Sequence, residues 1–213
     1  MTRQRLDAPR VMNTKDTPLK KSASRGGVSG RQATVRGDAT RSRIVKAART
    51  VIVRHGPEGF GLRAVARDVG IVLSNLQFHF ASKDKLLQAV LNAELAAGEA
   101  FVIAAVASRP DDRAGAAIDA LLDLQHQRGA ARLFFSLWAA ATTSRLLRTA
   151  LHAFYAEWIA RIAAVAPPEA REKAWLFVAL LEGVSLFRCG ITGTTDAEQE
   201  KMLRAQLRAI VGV

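Results

Sequence analysis

The stretch that most constrains the fold lies at residues 62–80, where two short segments flank a glycine. Apolar residues recur at three- and four-residue spacing in both LRAVARDV and LSNLQFHF, which is the spacing of one buried helical face. Gly70 interrupts the pattern and suits a tight turn between two helices. The residues predicted to face inward are Leu62, Val65, Ala66 and Val69 in the first helix and Leu73, Leu76 and Phe80 in the second.

Longer helices are predicted on both sides of this pair. Apolar residues with helical spacing run from about residue 39 to 55, and Gly56-Pro57 ends that helix. Ser82 is a suitable N-cap for a long helix over residues 83–106, and Asp84 in its first turn complements the helix dipole. The block is therefore predicted as a supporting helix, two short helices and a long helix.

Two short helices joined by a glycine turn, with a supporting helix before them, indicate a helix-turn-helix. Its second helix, the recognition helix, would lie in the DNA major groove and present short polar side chains to base edges. Ser74, Asn75 and Gln77 fit this role, and His79 and Lys83 would lie near the DNA backbone. The alternative is an ordinary helical hairpin with a solvated polar face.

The charge distribution favours the DNA-binding interpretation. Residues 1–40 and residues 41–90 each hold nine Lys and Arg against three acidic residues, whereas the rest of the chain is neutral. A basic N-terminal part joined to a neutral remainder indicates that one end of the protein meets a polyanion. A basic surface that is merely solvated would also have this composition.

The chain ends and the composition limit the protein class. Residues 1–37 are rich in Lys, Arg, Ser, Thr and Gly without an apolar period, so they are predicted to be a disordered basic extension, either a DNA-attracting arm or an artefact of start-site assignment. No run of about 18 apolar residues predicts a membrane span. The single cysteine, Cys189, suits a reducing compartment, and we expect a cytoplasmic protein.

The block RIVKAARTVIVRHGPEGFGLRAVARDVGIVLSNLQFHFASKDKLLQAVL strongly resembles the DNA-binding domain of the TetR family of bacterial transcriptional regulators. The matching residues are Ile44, Ala47, Ala48, Gly56, Phe60, Val65, Ala66, Gly70, Leu76, Phe80, Ser82, Lys83, Leu86 and Leu87. The resemblance implies double-stranded operator DNA as a partner and adds Arg41 and Arg63 to the expected DNA contacts.

Three positions depart from the family pattern. Gly61 stands where a Thr commonly caps the second helix, and Val72 stands where a Ser commonly caps the recognition helix. Gln77 replaces a Tyr that often contacts the DNA backbone. The usual phosphate contacts are thereby altered, and we expect Gln77 to read a base or a phosphate.

The whole sequence predicts an all-α protein of about nine helices. We expect a helix-turn-helix domain over residues 38–85 and a helical domain over residues 86–213. Breaks at proline and glycine divide the second domain into helices. Those that follow the long helix are expected at residues 112–128, 130–143, 145–166, 169–190 and 195–211. Several are apolar on more than one face, so they lie centrally or pack against another subunit.

The resemblance implies a homodimer in which the last two long helices of each copy form a four-helix bundle. The expected interface residues are Leu176, Leu180, Leu181, Val184, Phe187, Leu203, Leu207 and Ile210. The alternative is that these residues close a monomeric core. The remaining helices are expected to enclose a pocket for an unknown small-molecule effector, lined by Gln125, His126, Arg128, Phe134, Phe135, Trp138, Arg145, Tyr155 and Trp158.

The sequence contains no phosphate loop or nucleophile elbow, its histidines lie far apart, and Asp119 and Asp123 are interpreted as a solvated face. We therefore expect no enzyme, no cofactor and no metal. The most consistent function is a repressor that a small molecule releases from a palindromic operator. A helical adaptor without specific DNA binding is the rival interpretation.

Overall fold

The computed structural model describes residues 27–127, 129–187 and 195–212. Within these residues the protein has nine α-helices and no strands, which confirms the predicted all-α class. Short 3₁₀ turns precede two of the helices. The helices are α1 (Gly27–Gly59), α2 (Leu62–Val69), α3 (Leu73–His79), α4 (Lys83–Ser108), α5 (Arg113–His126), α6 (Ala130–Thr143), α7 (Arg145–Val165), α8 (Ala174–Leu186) and α9 (Ala197–Val211).

The largest differences between the predicted and the observed helix bounds lie in two helices. α1 begins at Gly27 rather than near 39, so residues 27–37 of the predicted disordered extension are helical, and residues 1–26 lie outside the described residues. The helix predicted at 169–190 starts as a 3₁₀ turn over Pro168–Lys173, because proline fixes its own backbone at the first position. Its last residues, with Cys189, fall outside the described range.

The first core cluster forms around α1, α2 and α3. Ile44, Ile52 and Val65 are fully buried, and Leu76 anchors the recognition helix α3 from beneath. Burying each such side chain contributes about 1.5–3 kcal/mol. Gly70 has φ 76° and ψ 36°, a left-handed conformation that ends α2 and turns the chain into α3. The short α3 is therefore held by tertiary packing rather than by its own length.

α4 connects this cluster to the rest of the chain. Leu86, Leu87, Val90 and Leu91 on its first half are buried in the same cluster, which continues into α6 and α7. Residues 38–213 form one compact unit, so the predicted boundary at 85/86 falls inside a shared core and stays a prediction. The helix is long and apolar enough to cross a membrane by composition alone, with a mean hydropathy of 1.6. Apolar side chains of its first half are buried in the core, and those of its second half line a cavity or are exposed.

A second cluster joins α5, α7, α8 and α9, and ion pairs reinforce it. Asp119 of α5 accepts hydrogen bonds from Arg109 and from Arg204 of α9, each at 2.7 Å. Although burial alone would raise it, these two guanidinium groups hold the pKa of Asp119 below its usual range. Asp123 also pairs with Arg204, at 2.9 Å. The interpretation as a solvated face is therefore wrong for Asp119, which the arginines of α9 cover, whereas Asp123 pairs with Arg204 and stays exposed.

Candidate functional site

The polar residues predicted to read DNA lie on the outer face of α3. Ser74, Asn75 and Gln77 are exposed, while Leu76 between them is buried. The backbone carbonyl of Val72 accepts hydrogen bonds from the amides of Asn75 and Leu76, which starts the helix without a side-chain cap. The replacement of the family's capping serine by Val72 is thus tolerated, and the Val72 side chain stays exposed.

Phe78 shares this outer face and was missed by the sequence prediction. Its side chain is 86% exposed, the largest value among the exposed large hydrophobic residues. The spacing in the sequence could have indicated this exposure, because a residue two positions after the buried Leu76 points to the opposite side of the helix. The Phe78 ring packs edge-on against the His79 ring, with 5.4 Å between ring centres, and otherwise faces solvent beside the polar side chains of α3.

Arginines of α1 secure the ends of the two short helices. Arg41 donates from Nη1 to the backbone oxygen of His79 at 2.9 Å, and its guanidinium carbon lies 4.2 Å from the centre of the Phe80 ring. Arg43 donates to the backbone oxygen of Val69 at 3.3 Å. Both satisfy carbonyl groups that a helix end leaves unpaired. Arg41 therefore has a structural task in addition to its expected DNA contact.

The other expected phosphate contacts flank α3. Arg63 is exposed in the first turn of α2, and Lys83 is exposed at the first position of α4. The hydroxyl of Ser82 accepts from the amide of Lys85 at 3.2 Å, as an N-cap does. The Lys83 ammonium lies 5.4 Å from the Phe60 ring centre, so the lysine stem is packed while its charge remains in water.

A cavity of about 1020 Å³ opens between α4, α5, α6, α7 and α8. Of the predicted pocket residues, Gln125, Phe134 and Trp158 line it. Apolar residues of α4 such as Phe101 and Ile103 form much of the remaining wall. A concave, mostly apolar space of this size with a few polar groups has the character of a small-molecule site.

The other predicted pocket residues are not among the lining residues. His126 is exposed and pairs with Glu200 at 3.4 Å, while Arg145 is exposed at the start of α7. Trp138 donates from Nε1 to the hydroxyl of Tyr155 at 3.1 Å, so these two rings pack on each other outside the cavity wall. Phe135 is half-buried on another face of α6, and Arg128 lies outside the described residues.

Glu182 of α8 also lines the cavity and was not predicted. Burial raises the pKa of its carboxyl to about 7, and Tyr155, a hydrogen-bonding neighbour, offsets part of the increase. Burial and the nearby Glu182 charge in turn raise the pKa of the Tyr155 hydroxyl. A glutamate in a segment as apolar as AWLFVALLEGVSL is the signal that could have identified it.

The predicted dimer residues divide between core and surface. Leu180 and Phe187 are exposed, and Leu176, Val184, Leu203 and Ile210 are half-buried. Leu181 and Leu207 are 2% and 0% exposed because the second core cluster covers them. Their assignment to an interface is therefore corrected, since they pack within their own chain. Trp175, 59% exposed on α8, is an apolar surface residue that the prediction missed.

Three polar contacts connect the cavity helices with the helix-turn-helix. Arg132 of α6 donates to the backbone oxygen of Val53 in α1 at 3.1 Å. Arg49 of α1 donates to Glu94 of α4 at 2.9 Å, and Glu94 lines the cavity. Ser144, between α6 and α7, donates to Asp84 in the first turn of α4 at 2.6 Å. These contacts join α4, α6 and the junction of α6 and α7 to the elements that carry α3.

Comparisons with known proteins agree with this geometry. Residues 44–90 match the family model described as bacterial regulatory proteins, tetR family. No curated protein matches the chain. The crystal structure of the multidrug binding protein EbrR complexed with imidazole is similar, with a TM-score of 0.65 and 29% identity over 81% of this chain and 95% of that chain.

Two further crystal structures are similar to a comparable degree. The EbrR structure complexed with ethidium has a TM-score of 0.64 and 28% identity, covering 80% of this chain and 97% of that chain. A TetR family member from Streptomyces coelicolor has a TM-score of 0.66 and 28% identity, covering 81% of this chain and 98% of that chain. The likeness thus extends from the helix-turn-helix through the helical remainder.

Proposed function

We propose that this chain, whose residues 44–90 match the tetR family of bacterial regulatory proteins, is a repressor whose homodimer leaves a palindromic operator when a small molecule occupies the cavity. We place it in the bacterial cytoplasm, where operator DNA is accessible. The single observation that carries the proposal is the outer face of α3, where three polar residues and one highly exposed phenylalanine surround a buried anchor.

The proposed DNA contacts combine base reading with phosphate contacts. Asn75 and Gln77 supply amide groups of the kind that bind adenine, and Ser74 supplies a hydroxyl. Phe78 would contact thymine methyl groups. Arg41, Arg63, His79 and Lys83 would position the protein on the DNA backbone. The basic charge of the N-terminal part supports this arrangement, because phosphate neutralisation supplies most non-specific affinity.

The proposed dimer uses the apolar surface of α8 and α9. Leu180, Phe187 and Trp175 are exposed there, at 41%, 59% and 59%. Leu180 and Phe187 are seven residues apart and so share one side of the helix, and exposed apolar side chains of this kind mark an interaction surface. A two-fold interface would also place two recognition helices on successive major grooves, which fits an inverted-repeat operator.

The proposed release mechanism follows from the walls of the cavity. A ligand between α4 and α6 would favour a state in which these helices are displaced. The Ser144–Asp84, Arg132–Val53 and Arg49–Glu94 contacts would carry that displacement to α1 and α4, and hence to α3. The distance between the two recognition helices would then no longer match the spacing of the operator half-sites. Ligand and operator would therefore each weaken the binding of the other.

The test uses operator DNA and a ligand identified independently. A compound that raises the melting temperature of the protein is expected to lower operator affinity, and operator DNA is expected to lower affinity for that compound by the same factor. A compound that binds in the cavity and leaves operator affinity unchanged would refute the release mechanism. A helical adaptor would show no sequence-specific DNA binding.

A further inference from the structure

One of the four carboxylates that line the cavity differs from the others in its charge partners. Four glutamates line the cavity: Glu94, Glu99, Glu157 and Glu182. Arg49 pairs with Glu94 at 2.9 Å, and Arg161 pairs with Glu99 at 2.6 Å and with Glu157 at 2.5 Å. Within the described part of the chain, Glu182 makes no ion pair with a lysine or arginine. Its polar neighbour is the neutral hydroxyl of Tyr155.

The surroundings of Glu182 are apolar and aromatic. Phe134, Phe154 and Trp158 line the same cavity. The rings of Phe154 and Trp158 lie 5.6 Å apart, centre to centre, with planes tilted by 31°. Aromatic ring faces attract cations, and an ionised carboxylate in apolar surroundings is costly unless an opposite charge or hydrogen bonds compensate it. Both the aromatic rings and the carboxylate favour a cation in the cavity.

We propose that the cavity binds an organic cation bearing aromatic groups, and that Glu182 supplies the counter-charge. The inference rests on the proposed function only in taking this cavity as the effector site. Arg161 is the lining residue that would attract an anion, and its guanidinium is already shared by two carboxylates. The Glu182 carboxylate and the aromatic lining of the cavity thus both favour an aromatic cation over an anion.

The titration of Glu182 supplies an independent readout. Burial raises the pKa of its carboxyl to about 7, so a cation would bind the ionised form and displace a proton. The other charged groups that line the cavity are Glu94 and Glu99 from α4 and Glu157 and Arg161 from α7, and Tyr155 hydrogen-bonds to Glu182 from outside the lining. The described lining residues of α5 and α6 are uncharged. Glu182 is therefore the group that changes charge between pH 6 and 8.

The experiment compares tetraphenylphosphonium with neutral triphenylphosphine oxide by calorimetry on the full chain. We expect the cation to bind at least about tenfold more tightly than the neutral probe, and Glu182→Gln to remove about tenfold or more of the cation affinity. The Glu182→Gln variant should keep its affinity for the neutral probe, which reports an intact cavity. Glu157→Gln removes the same charge from a carboxylate that Arg161 already balances, so its effect should be several-fold smaller.

The wild-type protein gives a second test that needs no variant. Its affinity for tetraphenylphosphonium should be about tenfold weaker at pH 6 than at pH 8, while affinity for the neutral probe stays constant. Equal affinities for both probes, or equal losses in Glu157→Gln and Glu182→Gln, would overturn the proposal. Those outcomes would leave the proposed repressor function intact. Conversely, a chain that selects no operator but prefers the cation would refute only the proposed function.

Discussion

The hydroxyl of Ser144 donates a 2.6 Å hydrogen bond to the carboxylate of Asp84. Ser144 also caps α7, accepting from the amide of Leu147 at 3.4 Å. Asp84 lies in the first turn of α4, directly after the recognition helix and its connecting turn. This one contact therefore joins the junction of α6 and α7 to the element on which α3 is mounted.

Removing the Ser144 hydroxyl should weaken both the stability of the fold and the coupling between ligand binding and operator binding. Ser144→Ala removes a helix cap and a partly buried bond to a charged group, which predicts a decrease of about 1–2 kcal/mol in the free energy of unfolding. It should also reduce the factor by which a ligand lowers operator affinity. Urea denaturation and operator titrations with and without ligand measure the two effects.

Thr142→Ala is the matched control, because the Thr142 hydroxyl bonds only to a backbone oxygen of its own helix, that of Ala139 at 2.6 Å. Thr142→Ala should change neither the free energy of unfolding nor the factor by which a ligand lowers operator affinity. An unchanged coupling factor in Ser144→Ala would show that the Ser144–Asp84 contact does not transmit the ligand signal.

Truncating the exposed phenylalanine of α3 should affect DNA binding but not folding. Because the Phe78 side chain is 86% exposed, Phe78→Ala should change the free energy of unfolding by no more than about 0.5 kcal/mol. Operator affinity should fall about tenfold if the ring contacts thymine methyl groups. Ile103→Ala, which truncates a 62% exposed residue of α4, should leave operator affinity unchanged. Equal operator affinity in wild type and Phe78→Ala would remove Phe78 from the reading surface.

Arg63 should contribute to DNA affinity through its charge rather than by reading the base sequence. Arg63→Gln should weaken binding to all DNA sequences to a similar degree. It should also reduce the slope of log affinity against log salt by about 0.9 for each phosphate that the protein no longer neutralises, and so by about 2 for a dimer. Anisotropy titrations over a series of salt concentrations measure this slope. Arg113→Gln on α5 makes the same charge change and should preserve it. A slope that Arg63→Gln leaves intact would place Arg63 away from the phosphates.

The buried carboxyl of the cavity should make stability depend on pH. The pKa of Glu182 rises from about 4.5 to about 7 on folding, so the folded state binds more protons between these values. Stability should therefore fall as pH rises through this window, by about 3 kcal/mol for this group. Urea denaturation of wild type and Glu182→Gln at pH 5 and pH 8, at one protein concentration, isolates the effect. A difference between the two proteins that is the same at both pH values would contradict it.

The helix-turn-helix could be predicted closely because its signals are local. LRAVARDV matches α2 residue for residue, and Gly70 takes the left-handed conformation that its position suggested. The exposure of Ser74, Asn75 and Gln77 follows from the spacing around Leu76. Phe78 obeys the same spacing, but it was not predicted as a DNA contact because that prediction considered polar side chains only.

The cavity and the interface depend on which helices meet, and spacing within one helix does not determine that. Gln125, Phe134 and Trp158 reach the cavity, whereas Trp138 and Tyr155 satisfy each other. Leu181 and Leu207 share apolar character with Leu180, yet α5 and α7 cover them. In the same way, Arg204 and Asp119 lie far apart in sequence and meet only because α9 packs on α5.

The most direct test of the account is selection of DNA by the full chain from a random double-stranded pool. The account predicts enrichment of one inverted repeat, with a centre-to-centre half-site spacing near one helical turn, about 10 base pairs, or a multiple of it. Binding to that sequence should weaken steeply as salt increases. Recovery of no common sequence, or binding that is indifferent to sequence, would contradict the claim that this chain is an operator-binding repressor.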